Sequence, residues 1–252
     1  MADYNGTDED DIIDVSELDS DIGNIYPGKG NDTVTNATSK HTIISGPGED
    51  NISGQKFGYA LWNATQAVTI NLKENWSEDG FGTRDTVSGI ETIHGSSFGD
   101  TIYGSENYER YFVNGGNNTI DGDGGYDRAS YAPGRGPSTD FEITYIDGSA
   151  HVKGKNTLDI FKNISTIEFM DDSKIFSVDD ENGSIFNGAI FYGTENYENF
   201  FIDGGNNIVY AGGGDDLVYY KNGNSKDYSV TLVGDEVHVI GPTTKDIIIG
   251  GR

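Results

Sequence analysis

A nine-residue pattern recurs along this chain, and it limits the possible folds more than any other feature does. Pro27-Gly28-Lys29-Gly30-Asn31-Asp32-Thr33-Val34-Thr35 and Ser45-Gly46-Pro47-Gly48-Glu49-Asp50-Asn51-Ile52-Ser53 are two early copies. Gly122-Asp123-Gly124-Gly125-Tyr126-Asp127-Arg128-Ala129-Ser130 and Ala211-Gly212-Gly213-Gly214-Asp215-Asp216-Leu217-Val218-Tyr219 are later ones. All approximate G-G-x-G-x-D-x-U-x, with U apolar. The first six residues suit a tight turn, because glycine reaches the positive φ angles such a turn needs. The last three suit a very short strand with its apolar residue facing inward. Two such units close one coil of a flattened solenoid, and each coil buries one thin stripe against its neighbour.

Turning that sharply leaves backbone carbonyls pointing at one spot, and the aspartate adds a carboxylate there. Hard oxygen ligands at short range suit Ca2+, which accepts roughly six to eight of them. The nonapeptide resembles the calcium-binding repeat of RTX (hemolysin-type) proteins. That resemblance implies an all-β fold of parallel β-roll (right-handed β-solenoid) segments with flanking antiparallel β segments. It also implies Ca2+ as the cofactor, held between loops stacked two repeats apart.

Three registers follow. The first runs through 6–14, 18–26, 27–35, 36–44 and 45–53, with apolar positions Ile13, Ile25, Val34, Ile43 and Ile52. The second is 95–130, with Ile102, Tyr111, Ile120 and Ala129. The third is 184–219, with Phe191, Phe200, Val209 and Val218. The second and third are copies: Tyr103-Gly104-Ser105-Glu106-Asn107-Tyr108-Glu109 matches Tyr192-Gly193-Thr194-Glu195-Asn196-Tyr197-Glu198. The likeness runs on, with Phe141-Glu142-Ile143-Thr144 facing Tyr228-Ser229-Val230-Thr231, and His151-Val152 facing His238-Val239. The duplicated unit is a roll plus a flanking β segment. The second copy stops early, after Asp246-Ile247, so its last strands are expected to be missing, replaced or supplied by another chain.

The registers predict the metal ligands. Loops 6–11, 27–32 and 45–50 share one side, which puts Asp11, Asp32 and Asp50 in a column. Carbonyls around Gly28, Gly30, Gly46 and Gly48 complete those sites. Loops 18–23 and 36–41 carry Gly23 and His41 at position six, so their side should lack ions. In the second roll Asp100 serves one side, while Glu109 faces Asp127 on the other. In the third roll Glu198 faces Asp216, and Ala189 and Asn207 offer no carboxylate.

The domain order expected is a first roll over 1–60, a connecting β segment over 61–94 and a second roll over 95–130. A flanking segment over 131–183, the third roll over 184–219 and a truncated flank over 220–252 follow. In the connecting part, Ala67-Val68-Thr69-Ile70-Asn71-Leu72 alternates as a half-buried strand does. Trp62 and Trp76 read as packing residues or, alternatively, as a platform for a sugar or partner. Asp147-Gly148 between alternating runs predicts a two-residue hairpin.

Composition narrows the partners. The net charge of −26 argues against nucleic acid and against direct binding to anionic lipid, whose phosphates would be repelled. It also implies that the metal-free chain repels itself. The chain has no cysteine, so calcium is the available staple. No apolar run approaches membrane-spanning length. No cleavable signal is visible, since Met1-Ala2-Asp3-Tyr4-Asn5 leads straight into acidic repeats.

The four histidines form no H-E-x-x-H, and there is no P-loop. The expectation is therefore a non-enzymatic, calcium-binding β-roll protein with a structural or adhesive role, extracellular or on a virion or cell surface. Its partners would be other protein subunits of an assembly. The alternative is a polysaccharide-binding module of a secreted carbohydrate-active enzyme or adhesin. An anionic glycan would ask for a basic stripe, and only 16 Lys and Arg are present.

Overall fold

The computed structural model describes the whole chain except residues 1, 147–148, 172–173, 178–183, 186–189, 193–198, 203–206, 213–216, 221–224, 243–244 and 251–252. The chain forms two compact units, Met1–Arg135 and Gly136–Arg252. Both are built from short strands, and the described helical residues are confined to three single 3-10 turns.

In the first unit the strands are β1 (Ala2–Thr7), β2 (Ile12–Asp14), β3 (Ile22–Gly28), β4 (Thr33–Thr38), β5 (Thr42–Ile44) and β6 (Asn51–Ala60). β7 (Thr69–Asn71), β8 (Trp76–Glu78), β9 (Arg84–His94), β10 (Thr101–Ser105), β11 (Arg110–Val113), β12 (Thr119–Asp123) and β13 (Arg128–Tyr131) follow. They stack in two parallel faces. One face orders β1, β3, β5, the end of β6, the end of β9, β11 and β13. The other orders β2, β4, the start of β6 and the start of β9, and resumes with β10 and β12. Thr101 pairs with Thr119, and Arg110 with Arg128, so one coil spans two nonapeptides as the period requires.

The period also fixes the core. Ile13, Val34, Ile52 and Val87 are in register on one face. Ile25, Ile43, Tyr59, Ile93, Tyr111 and Ala129 are in register on the other. All are buried. Each aliphatic side chain so placed contributes about 1.5–3 kcal/mol of hydrophobic stabilisation.

Residues 61–94 do more than connect. β9 forms a coil of its own on β6, so the first two rolls are one stack. The antiparallel hairpin β7–β8 is inserted on one face only, between β9 and β10. That face is locally taller by two strand spacings, about 10 Å. Trp76 lies under the Arg84 guanidinium, 4.0 Å from the ring centre, and Trp62 meets the His94 ring edge-on at 5.3 Å.

The second unit holds β14 (Glu142–Ile146), β15 (Ser149–Lys153), β16 (Leu158–Lys162), β17 (Thr166–Phe169), β18 (Lys174–Ser177), β19 (Ser184–Ile185) and β20 (Ile190–Tyr192). It continues with β21 (Asn199–Ile202), β22 (Ile208–Gly212), β23 (Leu217–Tyr220), β24 (Ser229–Val233), β25 (Glu236–Ile240) and β26 (Lys245–Gly250). β14–β15–β16 and β24–β25–β26 are antiparallel meanders with matching registers. Ile146 pairs with Ser149, and the turn expected at Asp147-Gly148 lies outside the described residues. The third roll stacks β19, β21 and β23 on one face and β14, β20, β22 and β26 on the other. Phe191 pairs with Val209 and Phe200 with Val218, as the third register predicts.

Candidate metal sites

Position six of each loop is a rung in a ladder. The backbone N–H of Asp11 donates to Asp32 Oδ1 at 2.8 Å, that of Asp32 to Asp50 Oδ1 at 2.9 Å, and that of Asp50 to Asp85 Oδ1 at 3.1 Å. The N–H of Asp100 donates to Asn118 Oδ1 at 2.9 Å, and that of Glu109 to Asp127 Oδ1 at 2.7 Å. In the second unit Asn207 N–H donates to Asp246 Oδ1 at 2.8 Å. One oxygen of each acceptor thus ties a coil to the coil before it. The column of Asp11, Asp32 and Asp50 exists, and Asp85 extends it. Asp85 was not among the expected ligands. Its signal is Asp85-Thr86-Val87-Ser88, which repeats the tail Asp32-Thr33-Val34-Thr35 without a glycine loop before it.

Glycine is required where these loops touch. A Cβ on Gly46 would lie 1.7 Å from Gly28 O, and one on Gly48 1.8 Å from Gly30 O. Gly28 and Gly30 stand at φ 118° and 104°, where a side chain is strained. The carbonyls of the glycines expected to serve as ligands therefore run from one loop onto the next.

The second oxygen divides the loops into two kinds. Where the loop begins with a hydroxyl residue, that oxygen is satisfied within the loop. Thr7 donates to Asp11 Oδ2 from N–H at 2.7 Å and from Oγ1 at 2.9 Å. Ser45 Oγ donates to Asp50 Oδ2 at 2.7 Å. Ser96 N–H donates to Asp100 Oδ2 at 2.7 Å, and Val68 N–H to Asp100 Oδ1 at 3.0 Å. Ser105 donates to the Glu109 carboxylate from both N–H and Oγ. His41 does likewise at its own position six: Nδ1 accepts the Thr38 N–H at 3.0 Å, which fixes the proton on Nε2.

The other kind has no hydroxyl at either of its first two residues. Loops 27–32 and 122–127 begin Pro27-Gly28 and Gly122-Asp123, and there Asp32 Oδ2 and Asp127 Oδ2 are buried with no hydrogen-bond partner. Asp127 faces Glu109, itself 1% exposed, so neither carboxylate points into water. Two ionised carboxylates are both acceptors, and only a shared proton or a cation closes such a contact. Burial, and then the Glu109 charge, push the Asp127 carboxyl up to about 8. Burial also raises Asp32, Asp100 and Glu109. It pushes Asp50 to about 6 and Asp85 to about 7. Asp85 Oδ2 accepts from Tyr59 OH at 2.6 Å and lies 3.0 Å from Ser45 Oγ, whose single proton it shares with Asp50, and Ser77 Oγ is 2.8 Å from the Tyr59 oxygen.

These groups fit a hard cation at Asp32 and at Asp127 beside Glu109: buried carboxyl oxygens crowded by like charge, with Asp32 Oδ2 and Asp127 Oδ2 unpartnered. Among the described residues no group of three His, Cys, Asp or Glu side chains could hold a metal alone, so backbone carbonyls would make up the shell. Asp100 is a poorer candidate, since both its oxygens already accept N–H bonds. Glu198 and Asp216 lie outside the described residues.

Fold and ladder define a parallel β-roll protein. No protein-family model and no curated protein matches the chain. Among solved structures it is similar to the extracellular lipase LipA from Serratia marcescens, at 14% identity and a TM-score of 0.20, over 64% of this chain and 38% of that one. The chain thus spans about two fifths of that enzyme, and at such a TM-score the likeness carries no argument about activity. No described helix is long and apolar enough to cross a membrane.

Proposed function

We propose that this is a calcium-stabilised β-roll protein with a non-enzymatic structural or adhesive role outside the cell, or on a virion or cell surface, as a subunit of a larger assembly. The observation that carries the calcium part is the pair of buried, unpartnered oxygens, Asp32 Oδ2 and Asp127 Oδ2. Calcium at these points neutralises the acids and locks adjacent coils. Affinities on the order of 10⁻⁴–10⁻³ M suit an extracellular module. Calorimetry tests it: Asp32→Ala and Asp127→Ala should each lose about one bound ion. Unchanged stoichiometry in both would end the reading.

One observation supports a polysaccharide-binding role as the second reading. Arg110 and Arg128 are adjacent in register. Beside them run stacked rings, His94 on Phe112 at 4.3 Å, with the Arg110 guanidinium 4.5 Å over Phe112 and half-exposed Trp62 at the edge. This is a short basic and aromatic stripe on an acidic chain. A uronate oligosaccharide should quench Trp62 fluorescence and lose affinity in Arg128→Ala. No response to the oligosaccharide in the parent chain leaves the structural reading alone.

A further inference from the structure

Asp79 is fully buried, yet it stands outside the calcium ladder. Its Oδ1 accepts the N–H groups of Phe81, Gly82 and Thr83 at 2.8, 3.2 and 3.1 Å, and its Oδ2 accepts Thr83 Oγ1 at 2.6 Å. Both oxygens are thereby committed to one turn, 79–83. The turn is also fixed from outside. Thr65 Oγ1 donates to Gly80 O at 2.9 Å, and the Gly48 N–H donates to Thr83 Oγ1 at 3.2 Å. A Cβ on Gly80 would lie 2.8 Å from Gln66 O, so the two segments touch. A buried polar group satisfied at every lone pair holds its surroundings in one arrangement.

What the turn keeps in shape is the wall of a pocket. A glycine loop before Asp85 would cover loop 45–50, as loop 45–50 covers loop 27–32, and Asp85 has none. Between loop 45–50 and segments 66–67 and 78–84 lies a pocket of about 400 Å³, with Glu49, Gln66, Glu78, Thr83 and Arg84 on its wall. Small-molecule sites run from roughly 300 to 1,000 Å³.

The wall chemistry selects the ligand. Glu78 and Arg84 are paired at 3.1 Å with both side chains 55% exposed, and the Arg84 guanidinium lies 4.0 Å from the Trp76 ring centre. The Glu49 carboxylate and the Gln66 amide are exposed and have no side-chain partner among the described residues. An anion drawn to Arg84 would meet two carboxylates, and a cation drawn to Glu49 would meet the guanidinium. Hydroxyl groups both donate and accept, so they suit all four side chains. We infer that this pocket binds a short, neutral hexose oligosaccharide. Its hydroxyls donate to Glu49 and Glu78 and accept from Gln66 and Arg84. The site shares no residue with the Arg110–Arg128 stripe and takes a ligand of different charge. It therefore rests neither on that stripe nor on calcium, and it supplies the adhesive role with a ligand.

The test uses the full chain at saturating calcium. Trp62→Phe leaves Trp76 as the one tryptophan, which keeps this pocket separable from the stripe. The neutral probes are cellotriose, maltotriose, mannotriose and lactose, and the charged ones are trigalacturonate and spermidine. At least one neutral probe should bind in calorimetry with a dissociation constant at or below about 10 millimolar, and should change Trp76 emission as it draws on Arg84. Glu49→Ala and Gln66→Ala, both at exposed positions, should each weaken that binding at least about threefold with an unchanged circular dichroism spectrum. No binding by any neutral probe overturns the inference. So does a charged probe that changes Trp76 emission at lower concentration than every neutral one. Binding that spares Trp76 emission, or that either variant leaves unweakened, overturns it too, because the sugar then sits elsewhere.

Discussion

Loops 104–109 and 122–127 are neighbours on one side of the roll, and they solve the same electrostatic problem differently. Both bury an acid at position six. Ser105 supplies an N–H and a hydroxyl to Glu109, whereas Asp123 offers neither to Asp127, whose Oδ2 is left bare. The same contrast separates loop 6–11, closed by Thr7, from loop 27–32, where Gly28 leaves Asp32 Oδ2 bare. The loops with no Ser or Thr at either of their first two residues are the ones that need an external cation. Those that have one there carry their own donors. A roll of mixed loops can then hold a hydrogen-bonded frame with a few metal-dependent joints.

The largest effect expected is from chelation. Two sites saturated at about one hundred times their dissociation constant contribute about 5 kcal/mol, comparable with the whole stability of a small domain. Removing calcium should abolish most of the β circular dichroism of the chain. An unchanged spectrum and melting point in chelator would erase the distinction between the loop types.

Asp127→Asn sharpens the comparison, because its effect should change sign with calcium. Asparagine keeps the oxygen that accepts the Glu109 N–H and adds an amide donor beside the Glu109 carboxylate. In chelator the variant should be more stable than the parent by about 1–2 kcal/mol. In calcium it should be less stable, with one fewer ion bound. Chemical denaturation under both conditions decides, and destabilisation in both would mean that Asp127 acts through packing alone.

pH should act on the metal-free protein in the same sense. Folded Asp127, Asp85 and Asp50 sit at about 8, 7 and 6, above the ordinary value of 3.8. Between those limits the folded chain holds more protons than the unfolded one, so stability falls as pH rises. The metal-free melting temperature should be highest near pH 4 and decline towards pH 8. Calcium should flatten that slope, and Asp127→Asn should remove its upper part. A metal-free melting temperature that rises with pH would contradict the burial of these acids.

Much of this was legible in the sequence because the repeat is local. A nine-residue period places Ile25, Ile43 and Tyr111 inward wherever the coils stack, and the structure buries all three. The β7–β8 insertion was not legible, since β7 pairs with β10, 32 residues on, and nothing periodic marks that partner. Asp85 escaped for a related reason: its tail fits the repeat, but its loop lacks the glycines. The hydroxyl closures could have been read. Thr7, Ser96 and Ser105 each stand four residues before their acid, a spacing that reaches back across one tight turn.

The smallest effect isolates such a closure from metal binding. Ser96 gives Asp100 both its N–H and its hydroxyl, and Asp100 also accepts the Val68 N–H and donates its own to Asn118. Ser96→Ala deletes only the hydroxyl. The carboxylate retains two backbone donors, so the cost should be about 1 kcal/mol. Calcium stoichiometry should not change, because the Asp100 oxygens are engaged by N–H groups before any ion arrives. A drop of one ion in calorimetry would move Asp100 into the class of Asp32 and Asp127. The dividing line between the loops would then be charge at position six rather than the presence of a hydroxyl.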